Sequence, residues 1–370
     1  MTGLTDLNTT RLMLVYGAFP ALAGIGWWGT MHSTFKNGLW RHLTDLVRGT
    51  TEAIPNTKQK LIRKWTGIRP LDDYLSLYLA FFLSGSRGSP VMALQNRYFV
   101  SQYAVMWSLI QLQCHRKESS ALIQSSLLFT GFAVQSIGAA PVVPVWCAAH
   151  LATSLLSGAP TQFGGISKSR IAAIPASVML SIFTPLIMSP LSRSALAAQS
   201  WINMWQVYYL FSDLFERLIA VAFTSSTLSP AVATSRLYSF AIGLATVSHA
   251  LVVGVVLLSK IAPKLPTGYD HISFIKIFWP RLRLEKAGDM FEARLHFLRW
   301  DLAISALSIL LWAVACYVLA LPPGTAMTMS DASRLGVKIF ARVCFTGPAG
   351  AAAWLLRERD LLLSRNGNAL

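Results

Sequence analysis

Residues 236–259 read RLYSFAIGLATVSHALVVGVVLLS. Between Arg236 and Lys260 no Asp, Glu, Lys or Arg interrupts the run. A helix of about 20 apolar residues crosses the ~30 Å hydrocarbon core of a bilayer, so this stretch predicts a transmembrane helix. Working outward, similar runs lie near 11–28, 70–86, 97–114, 121–157, 170–189, 197–224, 300–320 and 335–356. The expected fold is all-α: one polytopic transmembrane helix bundle of 8–9 spans covering residues 1–370. The run at 121–157 is too long for one straight helix. Pro141 and Pro144 could kink it or make it re-enter, or it is two spans.

Composition agrees. Of 370 residues, 54% are hydrophobic and 13% charged, about half the charge of a soluble domain. Mean hydropathy is +0.48. A disordered chain is excluded, and an ordinary soluble enzyme fits poorly. The 12 Trp, 19 Phe and 10 Tyr suffice for interface belts and an aromatic-lined pocket. The net charge of +16 sits mostly between apolar blocks, so its expected partner is a lipid bilayer and not nucleic acid. Four dispersed cysteines, without CxxC or Cys/His spacing, suggest neither zinc nor a disulfide framework.

Segments 29–69 and 260–299 each hold eight basic residues and are expected to be cytosolic loops. Counting 121–157 as one crossing leaves an even number of spans between them. The N-terminus and the Asn8-Thr9-Thr10 sequon are then lumenal. The first run reads as an uncleaved span and not a signal peptide, because it continues to Trp27-Trp28. No internal repeat is visible, which weighs slightly against a transporter.

Ionisable groups inside a bilayer are costly and mark candidate sites. Asp72 and Asp73 open the second span, where helix capping is the competing explanation. Asn203, Gln206, Tyr209, Asp213 and Arg217 follow steps of 3, 3, 4 and 4, one stripe along a helix. Glu216 lies beside that stripe, and Trp201, Trp205 and Tyr208 flank it. The stripe reads equally as a structural seam with an Asp213–Arg217 pair. Asp301 opens the eighth span. Asp72, Asp73 and Asp301 are expected at one depth, where they could converge with one carboxyl kept protonated by desolvation. His249 is the one His deep in an apolar run, more in keeping with packing than with catalysis. There is no DDxxD, DxDD, HxxxH or GxxxxGK[ST] pattern, so no metal ligand set or cofactor is expected. Ser84–Pro90 reads as a turn.

Several motifs occur in a telling order. Gly67-Ile68-Arg69-Pro70-Leu71-Asp72-Asp73-Tyr74-Leu75 precedes Ala80-Phe81-Phe82. Ala93-Leu94-Gln95, Phe99 and Gln102 follow, then Met204-Trp205-Gln206, Phe278-Trp279-Pro280, Phe297-Leu298-Arg299-Trp300-Asp301 and Leu311-Trp312-Ala313. The ordered set resembles the fungal integral-membrane terpene cyclase family of the ascochlorin and macrophorin meroterpenoid type. Where that family carries two prolines after its Trp-Gln pair, this chain has Val207 and Tyr209.

The resemblance implies an isomerase-type membrane enzyme of secondary metabolism, most naturally in the endoplasmic reticulum. Such an enzyme protonates an epoxide or alkene on the prenyl chain of an aromatic or polyketide precursor, and a cation cascade closes the rings. No metal is required. The expected acid is Asp73 or Asp301, with Asp72 as its hydrogen-bond partner. Trp205, Tyr208, Trp300 and Trp312 would shape the pocket and shield the cation. Gln206 or Glu216 would orient the head group or accept the terminating proton. Tyr209, Asp213 and Gln102 complete the expected substrate contacts. A proton-coupled transporter, a membrane acyltransferase based on His249 and a non-catalytic scaffold remain as alternatives.

Overall fold

The computed structural model describes residues 12–51, 54, 59–83, 90–116, 119–156, 167–224, 228–262, 272–282, 290–322 and 327–367. The Asn8 sequon and residues 84–89 of the expected turn lie outside them. Among the described residues the regular structure is helical, with no strand.

A first helix, α1, runs over 14–36 and contains two π-helical stretches, Leu14–Ala18 and Trp28–His32. The short amphipathic α2, Leu39–Arg48, is bounded by Gly38 and Gly49 at positive φ and buries Leu39, Leu43 and Leu46. Then come α3 (Arg69–Leu83), α4 (Pro90–Cys114), α5 (Ala121–Ile137) and α6 (Ala139–Leu156). Next are α7 (Lys168–Leu191), α8 (Ala195–Gln206), α9 (Tyr208–Ala222), α10 (Pro230–Ile261) and α11 (Phe274–Phe278). The chain ends with α12 (Met290–Val318) and a helix over Met329–Gly367 that breaks at Gly347 into α13 (329–346) and α14 (348–367). Sequence-local devices start several of these. Ser229 Oγ accepts the Val232 N–H at 3.3 Å, with Pro230 in the first turn of α10. Ser194 does the same for α8 at 3.1 Å.

Among the described residues four helical stretches are long and apolar enough to cross a membrane: Lys168–Leu191, Pro230–Ile261, Met290–Val318 and Met329–Arg365, the last of them broken at Gly347. The helical class is as expected, but these four stretches do not by themselves make up 8–9 spans. At 25 residues α4 is also long enough, but Gln95, Asn96, Arg97, Gln102, Gln111 and Gln113 lower its hydropathy. It runs through the middle of the bundle, with its side chains buried on nearly all sides. The expected single span at 197–224 is two helices, α8 and α9, interrupted at Val207 (φ −110°, ψ 27°). The polar stripe is therefore split between them.

The 121–157 run is broken at Gly138 (φ 90°, ψ 162°) and not at a proline. Trp146 Nε1 donates to Ser126 Oγ at 3.3 Å, so α5 and α6 lie antiparallel as a helical hairpin. The chain turns back within this run, so the even count of crossings no longer assigns the two basic segments to one side. The expected 335–356 span folds back in the same way at Gly347 (φ 71°, ψ 172°), where Arg342 on α13 pairs with Glu358 on α14.

These two hairpins belong to a repeat that the sequence does not reveal. Central helix α4 is followed by hairpin α5/α6, and central helix α12 by hairpin α13/α14. Helix α1 packs on α6 as α10 packs on α14. Each hairpin tip is held by the central helix of the other unit. Asp301 on α12 accepts the Ala140 N–H at 2.6 Å, two residues past Gly138. Gln102 on α4 accepts the Ala349 N–H at 3.1 Å, two residues past Gly347.

Buried charges gather at the α6 C-terminal end of the bundle. Asp360 accepts from Arg116, from Tyr238 Oη at 2.8 Å and from Arg359 at 2.6 and 2.9 Å. Exposed apolar rows such as Leu210, Leu214, Leu218 and Val221 face outward, as a lipid-facing surface requires.

Candidate active site

An aromatic cavity opens where α3, α4, α5 and α12 meet under α2. Its volume is about 70 Å3, below that of a typical small-molecule site, so a bound chain must displace some of the lining side chains. Its wall carries Trp40, Tyr78, Phe81, Phe82, Phe99, Tyr103, Trp205 and Phe297. The rings are mutually braced. Phe82 meets Trp205 edge-on at 4.3 Å, Phe81 meets Phe297 at 5.3 Å, and Phe99 stacks on Tyr103 at 6.0 Å. Spacing of four residues on a helix puts Leu77 and Phe81, Phe99 and Tyr103, and Phe297 and Asp301 on common faces.

Asp301 is the one carboxyl on this wall among the described residues, and it is 3% exposed. Oδ1 accepts the Ala140 N–H, and the Ala139 amide reinforces that side. No cation or side-chain donor is paired with it among the described residues. Gly138 makes the approach possible: a Cβ there would stand 2.8 Å from Asp301 Oδ1 and 3.2 Å from Phe297. Near the same tip, Tyr78 Oη donates to Ser136 O at 2.5 Å, and Gln135 Nε2 is buried without a partner.

Gln102 is an internal control for Asp301. At the second tip its Oε1 accepts the Ala349 N–H and its Nε2 donates to Thr346 O at 3.3 Å. A neutral amide thus performs the same tip-holding task. Holding a tip does not require an ionisable group, so the acid at 301 calls for another explanation.

The glycines make a paired prediction. Positive φ costs an L-residue about 1–2 kcal/mol. Gly138→Ala and Gly347→Ala should each lower the thermal midpoint in detergent. Gly138→Ala should also cut turnover per folded molecule, because its Cβ displaces the Asp301 carboxyl. Gly347→Ala should not.

The other expected site residues fall elsewhere. Asp72 does not meet Asp301. Its Oδ1 accepts from Trp65 N at 3.1 Å, Thr66 N at 2.7 Å and Thr66 Oγ1 at 2.9 Å, and its Oδ2 from Gly67 N at 3.1 Å. Four donors favour an ionised carboxylate, the opposite of what a proton donor needs. Asp73 is 58% exposed and lies 3.9 Å from Arg69. The expected convergence of three acids is therefore absent.

Trp205 lines the cavity, and Tyr208 stands behind it with its hydroxyl against that of Tyr103. Tyr209 packs on Gly131, where a Cβ would lie 2.3 Å from its own. Gln206 donates to Leu75 O and Asn203 Oδ1 at 3.2 and 3.1 Å. Trp300 turns away from the cavity, meets Trp28 edge-on and donates to Arg281 O at 3.2 Å. Trp312 lies three helical turns beyond Asp301 and donates to His150 Nδ1 at 3.1 Å.

Glu216 is fully buried outside the cavity. It accepts from Arg170 Nε at 2.6 Å and Gln111 Nε2 at 3.0 Å, with His115 Nε2 at 2.8 Å. Asp213 pairs with Arg217 at 2.8 Å, as the spacing predicted, and with Arg170 at 3.1 Å. These groups tie α4, α7 and α9 together. His249 Nδ1 is bonded to Tyr98 Oη at 2.9 Å.

Sequence reasoning missed Tyr78, Tyr103, Gln135 and Gly138 altogether. It quoted Phe81, Phe82, Phe99 and Phe297 only as motif letters. The i, i+4 pairing of Phe297 with Asp301 was the available signal.

Comparison with known proteins agrees with this geometry in kind. The chain is 26% identical to Terpene cyclase janA of Penicillium janthinellum, over 97% of this chain and 96% of that one. It is 26% identical to Terpene cyclase ctvD of Aspergillus terreus, over 88% and 93%. It is 23% identical to Terpene cyclase ascI of Acremonium egyptiacum, over 81% and 79%. No solved structure matches. The CtvD domain model matches residues 15–364, nearly the whole described bundle, and the chain belongs to the CtvD-domain family.

Proposed function

We propose that this protein is a membrane-embedded terpene cyclase that starts ring closure by protonating a prenyl chain, with Asp301 as the acid. The observation that carries the reading is a lone carboxyl, unpaired with any cation, in an aromatic cavity. The relatives' names support the reaction class.

The carbonyl oxygen of a neutral Asp301 is Oδ1, held by the amides of the hairpin tip. The hydroxyl then sits on Oδ2 of this cavity-lining side chain. It gives its proton to the epoxide oxygen, or to the less substituted carbon of the terminal alkene, of a prenyl chain on an aromatic or polyketide head. The epoxide C–O bond breaks, or the alkene π bond is consumed, and a tertiary cation forms. The next alkene attacks it to make the ring bond. Loss of a proton from the last cation ends the cascade, so the product is an isomer of the substrate. The two amides stabilise the carboxylate left behind. Gln135 Nε2, unpartnered beside the tip, can orient an epoxide oxygen. Aromatic faces stabilise a passing cation by roughly 1–2 kcal/mol each when water is excluded.

The substrate enters from the bilayer beside α2, whose Trp40 and Leu43 stand at the cavity with Phe297 and Leu298 of α12. The basic segments 29–69 and 260–299 thus meet at one end of the bundle, which supports a shared cytosolic face in the endoplasmic reticulum membrane. The transporter and acyltransferase readings lose their bases. Asp213 and Arg217 are paired with each other, and His249 lies outside the cavity.

The test uses microsomes holding the expressed chain, with EDTA and a panel of farnesylated phenols and their terminal epoxides. Mass spectrometry should find a new isomer of unchanged mass, formed at the same rate with and without EDTA. Inserted protein that yields no isomer from any of the panel overturns this substrate assignment.

A further inference from the structure

Beside the aromatic cavity lies a second, larger one, of about 490 Å3. Phe82, Phe99 and Trp205 line both, so one wall of three rings divides them. The second cavity is lined by two cations: Arg97, which is exposed at its mouth, and Arg294, which is buried. Arg294 on α12 is 1% exposed and lies seven residues before Asp301, about 10 Å along the helix. Its Nη1 donates to Phe82 O and its Nη2 to Asn96 Oδ1, both at 3.2 Å. Its Nε has no partner.

A guanidinium offers five N–H donors, and no carboxylate pairs with this one among the described residues. A buried cation without a counter-charge is strongly unfavourable. Of the other buried guanidiniums, Arg116 and Arg359 share the Asp360 carboxylate, whereas Arg299, which does not line this cavity, likewise has no ion pair among the described residues. Phe81 and Phe82 cover Arg294 at 5.0 and 5.8 Å from its central carbon. The rings separate the cation from Asp301, and the Arg294 side chain lines the second cavity and not the first.

We propose that this second cavity is the subsite for an acidic head group, a phenolate, enolate or carboxylate on the prenylated substrate, held by Arg294. Asn96 keeps the guanidinium in place. The prenyl chain passes the Phe82, Phe99 and Trp205 wall and presents its far end to Asp301, a distance that a few isoprene units bridge. The division of labour follows from charge. The anion is neutralised at one site, so the acid at the other faces only hydrocarbon and the group it protonates. The prenyl part of this assignment rests on the cyclase reading, whereas the anion part rests on Arg294 alone.

Binding separates the two. The full chain in detergent is titrated with tritiated 3-farnesyl-4-hydroxybenzoic acid and with its neutral methyl ether methyl ester, each corrected for partition into empty micelles. At pH 8 the acid should bind at least ten-fold more tightly. Arg294→Gln should abolish that preference and leave the neutral probe within two-fold of wild type, and Arg294→Lys should recover part of it. The titration reads binding alone and needs no turnover, so a failed cyclisation assay does not touch this result. Equal affinities of the two probes for the wild-type chain overturn the proposal, and that comparison needs no variant to fold. A preference that survives in folded Arg294→Gln protein overturns it too.

Discussion

Replacing Asp301 by Asn should lower cyclisation turnover by about 10² to 10⁴-fold and leave the protein folded. The amide is nearly isosteric with the acid, and its Oδ1 can still accept the Ala140 N–H that Asp301 Oδ1 accepts at 2.6 Å. Gln102 already shows that an amide holds a hairpin tip of this geometry. What the substitution removes is the transferable proton. The thermal midpoint in detergent should therefore stay within a few degrees, while the new isomer disappears from the product mixture. Asp73→Asn provides the contrast. Asp73 is 58% exposed and lines no part of the cavity, so its loss should change turnover less than two-fold. Asp301→Asn at wild-type turnover would remove Asp301 from the chemistry. The reverse pattern, with Asp73→Asn inactive and Asp301→Asn active, would move the acid to the α3 entrance.

The helical class and the membrane character were legible because hydropathy acts over twenty residues at a time. The run at 236–259 sits inside α10, Pro230–Ile261, as expected. Crossing number was not legible, because two hairpins turn at single glycines inside apolar stretches. Gly138 and Gly347 look like any apolar-run glycine in sequence, and only positive φ distinguishes them. The break at Val207 is hidden for a related reason: no proline stands there. Asp301 was found because a charge in an apolar run is conspicuous. Asp72 and Asp73 were equally conspicuous, yet their partners are the loop at 65–67 and the exposed Arg69, and nothing in the residue order separates the three. The cavity wall was invisible as a wall because it draws single faces from helices far apart in the chain. The repeat escaped notice because its halves share geometry and not residues, with Asp at one tip and Gln at the other.

Replacing Asp360 by Ala should have the largest effect on stability, about 3–5 kcal/mol. Asp360 is 4% exposed and is the shared acceptor for two guanidiniums and a phenol. Arg116 comes from the end of α4, Tyr238 from α10 and Arg359 from α14 itself, so one carboxylate joins three helices. Removing it leaves both guanidiniums beside each other with the Tyr238 hydroxyl, in a buried part of the bundle. An uncompensated buried charge costs more than the pair ever contributed, because each charge has already lost its water. The loss approaches the whole stability of an ordinary domain, about 5–15 kcal/mol, so the variant should accumulate poorly and elute as aggregate after extraction. Tyr238→Phe deletes one neutral donor and leaves the charges matched, so it should cost only about 1 kcal/mol. The comparison separates charge compensation from simple hydrogen-bond loss. If Asp360→Ala accumulates and melts like the wild type, then water or a lipid phosphate reaches Arg116 and Arg359, and this end of the bundle is wetter than its packing indicates.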